Sequence, residues 1–264
     1  MAKALIPIRD WLLLWGDRFA PVLTFAALIA IWEAACRIFD IPRFLLPSPS
    51  YIVVGAMDQT VATWAANIWA TVKIAFMGYI LAIVVSIPIS VGLALSRFLS
   101  RTVYPLLVVI HSTPVVAIAP IIIVVMGTSA LPRVFITFLI TFFPIVVTTT
   151  AGLMATPQEL IELSRSLRAT RAREVLHIRL PYALPYIFSA LKISSTLAIV
   201  GAVVAEFIAA ERGLGYFIEL QTSFLKINQG FAALVLLVTI SLCFFQVIGL
   251  IQKTFAPWSL PKKQ

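Results

Sequence analysis

The sequence predicts an all-α membrane protein of six transmembrane helices with both termini in the cytoplasm. Three observations carry this expectation. Of 264 residues, 61% are hydrophobic and 12% are charged, against roughly 45–50% and 25% in soluble domains. So much apolar surface requires lipid as its solvent. A helical crossing takes about 20 apolar residues, and six such runs with short loops account for residues 1–264 as a single transmembrane domain. Finally, the net charge of +9 falls in short segments between the apolar runs, which is the pattern of membrane topology.

The runs are taken in order. The first is 20–38, read as a retained anchor because it is long and lacks a small-residue cleavage site. A proline-rich stretch through Pro47 and Pro49 follows. The others are 68–95, 103–127, 132–152, 184–209 and 231–252. Backbone groups in lipid must bond within their own segment, so continuous apolar runs are helices. A β-barrel needs alternation, which is absent. Pro88, Pro114, Pro120 and Pro144 each remove a helical hydrogen bond and kink the helix. Kinks of this kind can line a path, although proline is also commoner in membrane helices than in soluble ones.

Basic residues in short loops set the orientation. Lys3, Arg9, Arg18, Arg97, Arg101, the five arginines from Arg165 to Arg179, and Lys253, Lys262 and Lys263 share one side. Arg37, Arg43, Arg133, Arg212 and Lys226 lie on the other. The richer side is the cytoplasmic one. The same distribution argues against a nucleic-acid partner, and the lipid bilayer is the surface the chain meets. Cys36 and Cys243 lie in apolar runs and read as packing residues. His111 and His177 stand apart, and no nucleophile–base constellation or phosphate loop of the Gly-x4-Gly-Lys-Ser/Thr type is present. A catalytic role is therefore not expected, and no cofactor is assigned to this chain.

The polar stretch 156–181 holds the most informative pattern. Leu160, Leu163 and Leu167 share a helical face, and Arg165, Arg168 and Arg171 form a basic stripe. Arg168-Ala169-Thr170 reads as a joint between two short helices, and Glu162 can reach Arg165 or Ser166 on its own helix. Such a helix pair could lie on the membrane surface or dock into another protein's groove.

Glu162, then Leu167-Arg168-Ala169-Thr170, then Leu180-Pro181 resemble the spacing of the "EAA" loop of ABC importer permeases. Leu163 and Ser164 stand where that family usually has alanines, and Arg168 where it has glycine. Leu46-Pro47-Ser48-Pro49-Ser50 resembles the segment after the first helix in permeases of the nitrate/sulfonate/taurine type. Pro114 to Pro120 with Gly127, Phe142-Phe143-Pro144, Ala190-Leu191-Lys192, Ala205-Glu206 and Gly213-Leu214-Gly215-Tyr216 resemble later segments of that subfamily, and Val125-Met126-Gly127 stands where Trp-Phe-Gly is frequent. The resemblance runs from residue 46 to about 218 and implies a type I ABC importer permease fold. It implies that Glu162, Leu163, Ser164, Leu167, Arg168, Ala169, Thr170, Arg171, Leu180 and Pro181 couple the chain to an ATPase. Two ATPase subunits holding ATP-Mg, a second permease copy forming a homodimer, and a periplasmic or lipid-anchored solute-binding protein are the implied partners. The implied location is the bacterial cytoplasmic (inner) membrane, as a multi-pass protein.

Polar residues inside spans are expensive and mark candidate sites. Glu33, Lys73, Lys192 and Glu206 qualify, with snorkelling to the interface the plain account of Lys192. Candidate pathway or gate residues are His111, Thr113, Pro114, Met126, Thr149, Ser194, Ser195, Thr196 and Glu206, the last with Arg212 as a possible partner. The hydroxyl runs 148–150 and 194–196 could meet a solute or let helices approach closely. The resemblance implies a small anionic solute such as nitrate, a sulfonate or taurine; similar permeases serve vitamin precursors and aromatic acids. An ion-gradient-driven transporter is the rival class, but it usually shows internal repeats and buried carboxylates.

Overall fold

The computed structural model describes the backbone of residues 8–260 and the side chains of residues 20–260 apart from Arg97. The predicted cytoplasmic termini extend beyond the described residues at both ends. Every regular element among the described residues is helical. In order these are α1 (Ile8–Ile38), α2 (Pro49–Met57), α3 (Val61–Leu95), α4 (Arg97–Ser112), α5 (Val115–Met126), α6 (Ala130–Met154), α7 (Gln158–Ser166), α8 (Arg171–Glu174), a π-helical turn (Val175–Arg179), α9 (Leu180–Ala209), α10 (Leu214–Ser223) and α11 (Ile227–Phe255). A short 3-10 turn, Pro257–Ser259, follows α11.

Five helical stretches are long and apolar enough to cross a membrane: Ala20–Ile38, α3, α6, Arg171–Ala209 and α11. The sequence predicted a sixth as one run over 103–127. Instead the chain turns by 89° between α4 and α5. Pro114 is the cause. Its ring pushes the preceding residue out of the helical region, and Thr113 is extended at φ −79°, ψ 124°. Of the six predicted runs, five are thus continuous helices long enough to cross and one is a bent pair. Pro88, Pro120 and Pro144 stay inside unbroken helices.

The residues form two compact units. The first comprises the described residues up to Thr60 together with Gln221–Ala232. Here the Ala20–Ile38 part of α1 is apolar on nearly all sides, with Val22, Phe25, Leu28 and Ile31 exposed, as a lipid-facing helix should be. Glu33 has a local structural task. Its carboxylate accepts from the Ser50 amide at 2.9 Å and the Ser50 hydroxyl at 2.8 Å, and pairs with Arg37. The Ser50 amide is one of the orphan donors at the start of α2, which opens with Pro49.

The second unit comprises Val61–Leu220 and the residues from Ala233 onward. Its core is α6 packed on α9 and α3. Small residues bring these helices close, as expected where van der Waals contact replaces the hydrophobic drive. A Cβ placed on Gly78 would stand 2.5 Å from the Thr137 Cβ, and one on Gly201 would stand 3.0 Å from the Thr137 Cα. Hydroxyls then bond across the same contacts. Ser86 and Ser90 of α3 donate to the Phe142 and Val146 carbonyls of α6. Ser194 of α9 donates to the Thr141 carbonyl, and Tyr79 of α3 donates to the Leu191 carbonyl at 2.8 Å.

Candidate functional site

The α7–α8 loop leaves the membrane bundle at Thr156 and returns at Leu180. The predicted joint between two short helices is present, and Arg168 forms it. Its φ is +55°, the left-handed region that glycine usually fills at a helix end. The Arg168 amide donates to the Arg165 carbonyl at 2.9 Å and the Ala169 amide to the Ser164 carbonyl at 3.0 Å. These two bonds define a Schellman C-cap. Thr170 then caps α8 by accepting from the Arg173 amide at 3.4 Å. The arginine has therefore not changed the turn. Arg168→Gly should raise stability by roughly 0.5–1 kcal/mol, from a left-handed cost of ~1–2 less glycine's entropy of ~0.5–1. A melting temperature that falls in this variant would show that the arginine side chain contributes more than its strained backbone costs.

A buried ion cluster holds the pair in shape. Glu174 is 4% exposed. It accepts from Arg179 Nε at 2.8 Å, pairs with Arg179 at 2.7 Å, and meets Arg165 Nε across the joint at 3.4 Å. Arg179 also donates to the Leu153 carbonyl near the end of α6 at 3.4 Å. The π-turn lies between the two charges. Its wider winding sets residues five apart nearly above one another, and such single turns concentrate at functional sites.

This corrects the expected Glu162–Arg165 contact. Glu162 accepts instead from the Gln158 side-chain Nε2 at 3.3 Å, and the Ser166 hydroxyl donates to the Leu163 carbonyl. Arg165 goes to Glu174 because a buried carboxylate needs cationic partners far more than an exposed helix pair worth ~0.2–0.5 kcal/mol does. In the sequence Arg179 reads as one of five loop arginines, and nothing joins it to Glu174. The only signal was an acid five residues ahead of a base, a spacing that means nothing on an ordinary α-helix.

The rest of the loop is an open surface. Leu160, Leu163 and Leu167 are exposed, Leu167 by 74%, as is Leu176. Glu162, Arg168, Thr170 and Arg171 are exposed beside them. Ser164 is buried, and Ala169, Leu180 and Pro181 are half-buried. Ile161 points inward at 4% exposure. The leucine face predicted from spacing is thus turned away from the rest of its own chain.

The pathway candidates do not gather at one place. His111, Thr113 and Pro114 are exposed around the α4–α5 break, and Met126 is exposed at the other end of α5. His111 stacks on Phe143, with ring centroids 3.9 Å apart and 7° between planes. Thr149, Ser194 and Ser195 are fully buried between helices. Ser195 and Thr196 donate to carbonyls within α9, while the Thr149 hydroxyl has no partner. Ser194 and Ser195 therefore serve packing in this arrangement.

Glu206 stands elsewhere, at the far end of α9 from the loop. It is 1% exposed, and its partners are not Arg212. Its Oε2 accepts from the Thr71 hydroxyl at 3.0 Å and the Gly215 amide at 2.8 Å. The Leu214 amide donates to Thr71 Oγ1 at 2.8 Å, and the Gly213 amide to Asn67 Oδ1 at 2.9 Å. Three successive amides opening α10 are thereby held by α3 and α9. Beside them a cavity of about 500 Å³ is lined by Thr128, Arg133, Ala209, Ala210, Glu211 and Arg212.

Helices long and apolar enough to cross a membrane, with an exposed helix pair between two of them, place the chain among multi-pass membrane proteins. The profile of the binding-protein-dependent transport system inner membrane component matches residues 78–259, and the chain belongs to that family. It is 35% identical over 244 residues to the formylaminopyrimidine transport permease protein ThiX of Halalkalibacterium halodurans, covering 92% of this chain and 96% of that one. It is 32% identical over 247 residues to the riboflavin transport system permease protein RibX of Chloroflexus aurantiacus, covering 92% and 91%. The nitrate import permease protein NrtB of Synechococcus elongatus is 29% identical over 201 residues, covering 72% and 71%. In structure, a chain of the inward-facing MetNI methionine ABC transporter matches with a TM-score of 0.62 at 25% identity, covering 71% of this chain and 94% of that one. The chain is an ABC importer permease subunit, and permeases of this family work with ATPase and solute-binding proteins.

Proposed function

We propose that this permease carries a planar heterocycle of the vitamin-precursor kind, and that the α7–α8 loop is where an ATPase drives it. The solute assignment rests on the 35% and 32% identity to permeases named for formylaminopyrimidine and riboflavin, against 29% for the nitrate permease. The stacked His111 and Phe143 rings at the α4–α5 break supply an aromatic surface in the same sense. A second reading, an anionic solute, is favoured by the cavity that Arg133 and Arg212 share. Calorimetry of the cognate solute-binding protein against pyrimidines, flavins, nitrate and sulfonates separates the two. Tight binding of a small anion alone would overturn the heterocycle assignment.

The exposed leucine face carries the coupling assignment. In the complete importer two copies of this chain, as one permease domain each, pair in the bacterial inner membrane, and one ATPase seats on each loop and holds the ATP-Mg. The permease itself catalyses nothing. Leu163→Glu with Leu167→Glu places two charges in that contact. Each apolar side chain is worth roughly 1.5–3 kcal/mol when buried, so ATPase co-purification should fall by more than tenfold, while the melting temperature of the permease stays near the parent value. Undiminished co-purification would return the loop to a membrane-surface role.

The loop and both termini are proposed to face the cytoplasm, on the strength of the basic-residue asymmetry. A cysteine at the exposed Ser166, in a background lacking Cys36 and Cys243, should react with an impermeant thiol reagent only after cells are opened. Labelling of intact cells would invert the topology.

A further inference from the structure

We infer that the groove between the start of α9 and the chain after α11 is a binding site for one phospholipid whose headgroup carries a hydrogen-bond donor besides its phosphate. The groove is a cavity of about 440 Å³ lined by Pro185, Ser189 and Lys192 of α9, Gln252 of α11, and Trp258 to Leu260. Lys192 lies one or two turns inside the end of the predicted apolar run 184–209 and is half-buried. Among the described residues it makes no ion pair with a carboxylate; its ammonium lies over the Phe245 ring at 5.9 Å. A half-buried ammonium that snorkels to the interface without a carboxylate partner is matched by an anion that the bilayer itself supplies.

Two further features say what kind of anion. Gln252 is 4% exposed, and its Nε2 donates to the Ser259 carbonyl at 3.3 Å and hydroxyl at 3.0 Å. Its Oε1 is buried with no partner. A buried acceptor left open costs roughly 1–3 kcal/mol. Phosphate cannot fill it, because a phosphodiester has no proton to give, whereas the ammonium of phosphatidylethanolamine or a hydroxyl of phosphatidylglycerol can.

The apolar part of the ligand is set by α11. Val238, Leu242, Phe245, Gly249 and Gln252 fall on one face at steps of four, three, four and three residues. Val238, Leu242 and Phe245 are exposed, by 59%, 55% and 40%, and Gly249 leaves the stripe without a side chain beside Lys192, whose Cε would stand 3.5 Å from an added Cβ. An acyl chain lying on this stripe ends with its headgroup at Lys192 and Gln252. Exposed Trp258 sits at the same level, where indoles favour the interface.

The test uses the full chain with its ATPase in nanodiscs. Native mass spectrometry should show one retained lipid per permease chain when phosphatidylethanolamine or phosphatidylglycerol is present, and little with phosphatidylcholine, which offers no donor. Lys192→Met should reduce that retention about tenfold or more, as loss of a charge-assisted contact predicts, and Lys192→Arg should keep it. Gln252→Leu should remove the preference over phosphatidylcholine. Retention equal in Lys192→Met and the parent would overturn the site. So would displacement of the lipid by millimolar glycerol phosphate, which would make it a soluble phosphate-ester site. Loss of the ATPase with lipid retained in Lys192→Met would make the groove a protein contact instead.

Discussion

Glu174→Ala should destabilise the permease by about 3–5 kcal/mol, the usual consequence of removing one member of a buried ion pair. Arg179, 9% exposed, would keep only its bond to the Leu153 carbonyl as a buried cation without a counter-charge. Arg165, exposed by 62% of its side chain, would simply return to solvent. In a protein of this size the melting temperature should fall by roughly 6 °C or more. The double replacement Glu174→Leu with Arg179→Met should be milder than the single one, since no charge is then stranded. Transport should suffer beyond the stability loss. The cluster ties α8 to the end of α6, so under the proposed coupling role a push on the loop would reach the bundle through it. Uptake measured at a temperature where the variant stays folded should fall while ATP turnover persists. A melting temperature within a degree of the parent would mean that the pair contributes nothing net, and the loop would need another source of rigidity.

The parts of this fold that could be read from sequence are those governed by local rules. Long apolar runs mark helices because lipid leaves the backbone no other option. The joint at Arg168 was legible because the leucine face breaks there. The resemblance of 46–50 to a family segment becomes physical through Glu33, whose carboxylate receives the Ser50 amide. What could not be read depends on which groups meet in space. Glu174 and Arg179 look like two more surface charges until burial is known. Glu206 has a basic residue six positions away, yet its partners are Thr71 on α3 and the Gly215 amide, and no spacing rule reaches Thr71. The 89° turn between α4 and α5 is an intermediate case. Pro114 announces a disturbance, but whether a proline kinks a helix or ends it depends on what the freed backbone packs against. Pro120, six residues later, remains inside α5.

The Glu206 network gives the second large effect, in Gly213→Ala. Gly213 has φ +133°, where a side chain costs on the order of 1–3 kcal/mol in strain alone. A Cβ there would also overlap the Glu206 carboxyl group, which is fixed by Thr71 and by the Gly215 amide. Overpacking of a close-packed site adds about 1–3 kcal/mol. The carboxyl cannot move aside without leaving buried donors unpaired. Gly127→Ala separates the two contributions. Gly127 has φ +82°, and nothing lies within 4 Å of a Cβ added to it, so that variant reports strain without overlap. The melting temperature should therefore fall clearly further in Gly213→Ala than in Gly127→Ala. Coupling supplies an independent check. If the overlap with Glu206 is the cause, Gly213→Ala and Glu206→Ala damage the same contact, and the double variant should lose less than the two single losses added together, by at least ~0.5 kcal/mol. Equal losses in the two glycine variants, with strict additivity in the double one, would show that backbone strain alone operates and that α10 does not depend on the Glu206 carboxylate for its position.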